Sequence, residues 1–168
     1  HDFFFDTKWK ASTQSGQRRH KHKVYDEAAV KILLDKYPGV TYLQDSGVEI
    51  DGIKFWGSPV SPFFYDWGFN RIRGNDIKSH WDLIPKDTKI LITHGPIYGI
   101  LDRVEDGEIV GCEELLKMLP TFTELKLHVC GHIHEAYGIV ERDGVTFINA
   151  STCNLMYHPD NKPFVFEI

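Results

Sequence analysis

The residues able to do chemistry fall in two short stretches, Thr93-His94-Gly95-Pro96 and Gly131-His132-Ile133-His134. Each follows an apolar run, Ile90-Leu91-Ile92 and residues 127–130, of the length of a buried strand. A strand that stops at a histidine and turns on a glycine presents an imidazole at the carboxyl edge of a sheet. That edge is where open α/β sheets bind ligands. Two such strands bring His94, His132 and His134 to one rim, and neutral imidazoles gathered in one place favour a metal ion. In an extended segment His132 and His134, two residues apart, face the same side, and Gly131 permits a sharp turn before them. For an isolated His-x-His pair, one core histidine and one exposed histidine is the simpler account. His94 at the end of a second strand shifts the balance to metal. His128 and Cys130 share the second strand, and a mononuclear zinc site using Cys130 is the alternative. Residues on the body of a strand point into packing, however, so both read as core or edge residues.

The elements that position these residues begin with a helix over residues 25–37. Ala28, Ala29, Ile32 and Leu33 recur at helical spacing there, and Pro38-Gly39 stops it. Short strands follow at 41–43, 48–50 and 53–57, the last two joined by the hairpin pair Asp51-Gly52. Residues 58–70 form a loop rich in proline and aromatics. A short helix is expected at 77–83, a buried strand at 89–93, a helix at 112–119 ending near Pro120, and the next strand at 127–130. Strands at 137–141 and 145–149 pair over Asp143-Gly144, and residues 163–168 make a final strand. Strands alternating with helices, then hairpins, predict a mixed α/β sandwich.

The bulk properties narrow the function classes. A chain of 168 residues with 26% charged and 42% apolar residues suits a globular domain with a real core. The net charge of −5 argues against a general nucleic-acid binder, which needs positive surface to neutralise phosphates. No apolar run reaches membrane-spanning length. Cys112, Cys130 and Cys153 are sparse and odd in number, which predicts free thiols in a reducing, cytoplasmic compartment. The basic run Arg18-Arg19-His20-Lys21-His22-Lys23 reads as a solvated surface, with contact to an anionic substrate as the second reading.

The histidine motifs resemble the last two metal-binding motifs of calcineurin-like metallophosphoesterases. The wider pattern is similar to the branch of metallophosphoesterase-domain-containing, cyclic-nucleotide phosphodiesterase-like proteins. It comprises Leu43-Gln44-Asp45, Gly57-Ser58-Pro59 leading to Trp67-Gly68-Phe69-Asn70, Gly111-Cys112, Glu135-Ala136-Tyr137-Gly138 and Ile148-Asn149-Ala150-Ser151-Thr152. His1-Asp2 matches the end of the family's Gly-Asn-His-Asp motif. The resemblance implies an α/β sandwich of two mixed β-sheets flanked by helices, with residues 1–168 as the C-terminal part of a single metallophosphoesterase domain.

The resemblance also implies roles. His94 and His132 would bind one divalent ion and His134 another. His1 would stand near the scissile phosphate as a catalytic group, oriented by Asp2. Two divalent metal ions (manganese, iron or zinc) are the implied cofactors, with a metal-bound hydroxide attacking a small phosphoester or nucleotide, most simply as a phosphodiesterase. Trp67 and Phe69 are expected either to stack a nucleobase or to pack within their loop, and Asn149 either to reach substrate or to cap a turn. Tyr98 and Asp102 either shape specificity or lie in an exposed loop. The family's Asp-x-His, its metal-bridging Asp and its Asn have no match in residues 1–168. An upstream segment or a second chain is therefore expected to complete the ligand set and cover the sheet. The rival reading is a non-catalytic binding or scaffold protein on the same fold, and a third is a mononuclear zinc site that only stabilises the fold.

Overall fold

The computed structural model describes residues 36–65 and 67–167. His1, Asp2 and the basic run at 18–23 lie outside the described residues, as does nearly all of the helix expected over 25–37. The chain divides into two compact units, residues 43–62 with 72–168 and residues 1–42 with 63–71.

The larger unit is built on a six-stranded mixed sheet. Its strands are β1 (Ser46–Ile50), β2 (Ile53–Ser58), β3 (Ile90–Thr93), β4 (Leu127–Cys130), β5 (Gly138–Arg142) and β6 (Val145–Asn149), in the order β1-β2-β3-β4-β6-β5. The four central strands run parallel, and β1 and β5 flank them antiparallel. Both edge hairpins follow from Asp-Gly turns. Asp51, Gly52, Asp143 and Gly144 have φ of 51°, 78°, 53° and 76°, the backbone of the mirror-image turn whose twist matches paired strands. These two turns set Ile50 opposite Ile53 and Arg142 opposite Val145.

The central strands bury one face fully and the other in part, since Ile92 remains 39% exposed. Leu91 and Phe147 join Ile77, Trp81, Ile97 and Leu115 in the main core, on the face covered by α1 (Asn75–Trp81) and α2 (Glu113–Met118). Ile90, Leu127 and Ile148 form a smaller cluster on the other face, with Ile53, Phe55, Val129 and Phe164 against it. The two helices are joined by polar contacts as well. Trp81 Nε1 donates to Cys112 Sγ at 3.2 Å, and the Gly74 N–H donates to Glu114 Oε1 at 2.9 Å. No helix among the described residues is long and apolar enough to cross a membrane.

Several expectations change. The helix expected at 77–83 spans Asn75–Trp81. Residues 41–43 are not a strand. Leu43 lies against Gly57, where a Cβ would collide with its side chain, so Leu43 meets β2 through its side chain. Residues 163–167 are not a strand either. Pro163 has no N–H to give a ladder. The segment is held across the sheet instead, by Tyr137 Oη donating to Lys162 O at 2.7 Å and by Tyr137 stacking on Phe164 at 4.9 Å. The helix expected to 119 ends at Met118 and tightens into a 3₁₀ turn, Leu119–Thr121, which places Pro120 where no i→i−4 hydrogen bond is lost.

Candidate metal centre

The parallel register lines up the carboxyl ends of the strands. Ser58 lies opposite Thr93, and Cys130 opposite Asn149. The ladder continues one step past the strand ends. His94 donates its N–H to Ser58 O at 3.1 Å, Gly131 donates to His94 O at 3.0 Å, and Ala150 donates to Cys130 O at 2.7 Å. His94 is thus gripped through both of its main-chain polar groups by neighbouring strands.

Behind His94 lies a relay of side chains. The Thr93 hydroxyl donates to Gly95 O at 2.6 Å. Having given its only proton, it accepts at 2.8 Å from His128, which fixes His128 as the Nε2–H tautomer. His128 is fully buried, and burial lowers its pKa to about 3. It is a structural histidine that braces the His94 turn.

His132 is brought to His94 by a turn that the sequence does not advertise. The left-handed backbone falls on His132 itself, with φ of 73°, and not on Gly131. His94 Nε2 then lies 3.1 Å from His132 Nδ1, with ring centroids 4.6 Å apart. Burial, then the His132 charge, lowers the His94 pKa to about 3. Burial, then the His134 charge, lowers that of His132 to about 4. Both rings are neutral near pH 7, the form a metal requires.

His134 is held differently. It opens a 3₁₀ turn, His134–Ala136, so the two-residue periodicity of an extended strand does not apply. Its Nδ1 donates to Asn154 O at 3.0 Å, which leaves Nε2 as the lone-pair nitrogen. A ring N–H donated to a main-chain carbonyl is the usual outer support of a metal-ligating histidine.

Asn149, expected among the substrate contacts, is fully buried behind the turn. Its amide donates to Ile133 O at 2.8 Å and Leu101 O at 3.2 Å, and its carbonyl accepts the Ser151 N–H at 3.1 Å and the Ser151 hydroxyl at 2.8 Å. It therefore holds the peptide between His132 and His134. Asp102 is also buried, its Oδ2 accepting from Gly99 N at 2.8 Å and Gly111 N at 2.9 Å. Gly111 cannot carry a side chain, since a Cβ would meet Asp102 Oδ2 and Ile97 O at 2.6 Å. Cys130 is buried, and its thiol is pushed up to about 12 by burial and then by the charge of Asp102, the opposite of what a zinc thiolate needs.

Trp67 and Phe69 belong to the smaller unit. Trp67 packs edge-on to Phe64 at 5.5 Å and tilted against Tyr65 at 6.4 Å. Phe69 is buried and has a left-handed φ of 62°.

Sequence reading placed His128 in the core or at its edge, where it is buried, and missed Asn154 and a polar triplet of Ser58, Asp45 and His80. In that triplet, Ser58 Oγ donates to Asp45 Oδ1 at 2.6 Å and His80 Nδ1 meets Asp45 Oδ2 at 2.7 Å.

Over 128 residues the chain is 47% identical to Metallophosphoesterase domain-containing protein 1 of Homo sapiens, an alignment covering 76% of this chain and 39% of that protein. The chain belongs to the metallophosphoesterase domain-containing family. The Mus musculus protein of the same name gives the same identity and coverage. UPF0046 protein K07C11.7 of Caenorhabditis elegans is 42% identical over 129 residues, 77% of this chain and 43% of that protein. The chain spans about two fifths of the length of these curated relatives. No family model matches it. A solved crystal structure superposes with a TM-score of 0.52 at 17% identity, covering 74% of this chain and 54% of that one, a likeness of fold.

The donor set of this metallophosphoesterase-family chain fits a divalent cation at one point. A cation bound at about 2.0–2.1 Å by two imidazoles sets their nitrogens roughly 3.0–3.4 Å apart. The 3.1 Å between His94 Nε2 and His132 Nδ1 lies within that span. Among the described residues no group of three His, Cys, Asp or Glu side chains gathers around one point. The described residues thus supply an imidazole pair, and His134 stands apart with its own support.

Proposed function

We propose that this protein hydrolyses phosphoesters with the help of divalent metal ions, and that its substrates are small nucleotide-like diesters. The observation that carries the reading is the pair of neutral imidazole nitrogens 3.1 Å apart at the carboxyl rim of a parallel sheet. His94 and His132 would hold one cation through Nε2 and Nδ1, and His134 a second through Nε2. We read residues 1–168 as part of one metallophosphoesterase domain, with further ligands contributed from elsewhere in the molecule or by a second chain. The free thiols fit a reducing compartment, and we place the protein in the cytoplasm.

When bound, the cations supply positive charge that offsets the phosphate oxygens and acidifies the attacking water. The chain's own part is to hold the ring nitrogens in place, and the nitrogen that donates in the His94–His132 hydrogen bond would give up its proton or change tautomer as a cation enters. His94 is fixed by the ladder and by the His128–Thr93–Gly95 relay, His132 by its turn, and His134 by the Asn154 carbonyl. His1 would give a proton to the leaving alkoxide, with Asp2 orienting it, a contribution of typically ~10²–10⁴-fold. That assignment rests on the family motif.

The test is metal content together with turnover of bis(p-nitrophenyl) phosphate in added manganese. The reading expects bound metal, hydrolysis abolished by chelator, and near-complete loss in His134→Ala. A protein that binds metal without turning over any phosphoester is a scaffold on the same fold. Full activity in His134→Ala rejects the ligand assignment.

A further inference from the structure

Residues 152–161 form a closed surface loop beside His134. Asn161 ties its neck, the N–H donating to Thr152 O at 3.2 Å and Nδ2 to Ser151 O at 2.8 Å and Cys153 O at 3.2 Å. Asn154 fills its interior. Its Oδ1 accepts the Met156 N–H at 2.8 Å and the His158 N–H at 3.1 Å, and its Nδ2 donates to Asp160 Oδ2 at 2.8 Å. Compact loops closed in this way are often functional.

The tip of the loop is apolar and exposed. Leu155, Met156 and Tyr157 are 45%, 72% and 72% exposed. Tyr157 holds φ of 59°, a left-handed conformation that is strained for an aromatic residue and persists only where its surroundings impose it. One oxygen imposes it here. Asn154 O accepts the Tyr157 N–H at 2.9 Å and also His134 Nδ1–H at 3.0 Å. The Tyr157 ring consequently sits edge-on to the His134 ring, centroids 5.1 Å apart at 77°. The ring is fixed against a candidate ligand and leaves most of its surface in solvent.

We propose that Tyr157 is a specificity-determining residue. Its exposed ring stacks against a nucleobase or aryl group carried by the phosphoester, and Met156 and Leu155 extend the apolar lip. The inference rests on the reading of His134 as part of the metal centre. The shared Asn154 carbonyl sets the ring at a fixed distance from the phosphate that the metal would hold. A phosphoester without an aromatic group engages only the metal centre, and one with an aromatic group engages both.

Equilibrium binding to the manganese-loaded whole protein tests this without needing turnover. The probes are methyl phosphate, phenyl phosphate and adenosine 5′-monophosphate, measured by calorimetry. Wild type is expected to bind the two aromatic esters at least about fivefold more tightly than methyl phosphate. Tyr157→Ala should erase that preference and Tyr157→Phe should keep it, with methyl phosphate affinity moving less than about twofold in either, since its contacts are with the metal alone. An undiminished preference in Tyr157→Ala overturns the inference and leaves the metal centre standing. So does loss of methyl phosphate binding in Tyr157→Ala, which marks the ring as merely structural. Failure of wild type to bind any of the three esters overturns the metal-centre reading and the inference together.

Discussion

His94 and His134 are held by different kinds of structure. His94 sits one residue past a buried parallel strand, and its main chain completes the ladder on both sides. Its support runs inward, through Thr93 to the fully buried His128. His134 sits in a 3₁₀ turn, and its support is the Asn154 carbonyl at the base of an exposed loop. The first arrangement ties ligand geometry to the stability of the core. The second leaves ligand geometry adjustable by surface residues that the core does not need.

The largest effects should come from the core-held pair. His94→Ala or His132→Ala is expected to lower metal affinity and turnover by about 100-fold or more, beyond the typical cost of losing only an outer support. Metal analysis after dialysis, alongside the phosphodiester assay, measures both. Equal losses from His94→Ala and Asn154→Ala would erase the distinction between the two regions.

Asn149→Ala comes next, and it acts on stability. It strips the partner from the carbonyls of Ile133 and Leu101 and from the Ser151 N–H. Buried polar groups left unpaired should cost about 2–4 kcal/mol in urea unfolding. A change below 0.5 kcal/mol, roughly that of an ordinary surface substitution, would show that water replaces the amide.

Asn154→Ala should do the reverse. The carbonyl that supports His134 is retained, while the side-chain bonds to Met156, His158 and Asp160 go. We expect less than about 1 kcal/mol of stability lost, as for a solvent-accessible site. KM for an aromatic diester should rise by about tenfold, with kcat changing less. A stability loss as large as that of Asn149→Ala would place the loop in the core.

The smallest effect is a pH dependence of the metal-free protein. The folded pKa of His128 lies near 3, against 6.5 for a free imidazole, because burial opposes its charge. The unfolded chain therefore takes up the proton first, and unfolding gains from about pH 6.5 down to about 3, with nothing lost above that window. Unfolding of wild type and His128→Gln at pH 7 and pH 4.5 measures it. The gap between the two pH values should narrow in the variant, and an unchanged gap contradicts the buried neutral ring.

What the sequence made legible was local. The Asp51-Gly52 and Asp143-Gly144 turns announced two hairpins because the left-handed backbone of those turns favours these residue types. The apolar runs before His94 and His132 announced buried strands, and β4 spans the expected residues. Strand order was not legible, since the neighbours β2, β3, β4 and β6 pair across long stretches of chain. Residues 163–167 have strand-like composition, yet Tyr137 holds them across the sheet. The backbone around His132 and His134 was not legible because the i, i+2 rule presumes an extended chain, and the φ of 73° at His132 and the 3₁₀ turn at His134 depart from it. Asn149 was open between reaching substrate and capping a turn, and its two-sided amide is engaged in holding the turn. The 128-residue relationship carried the family. Tyr157 carried no signal in sequence, since an exposed tyrosine in a loop is ordinary until its neighbour is known.

The most direct measurement is an anomalous difference map from crystals of the manganese-loaded protein. The account predicts a peak about 2.0–2.2 Å from both His94 Nε2 and His132 Nδ1. A map with the metal bound elsewhere, or with those two nitrogens still bonded to each other in the presence of bound metal, would contradict it.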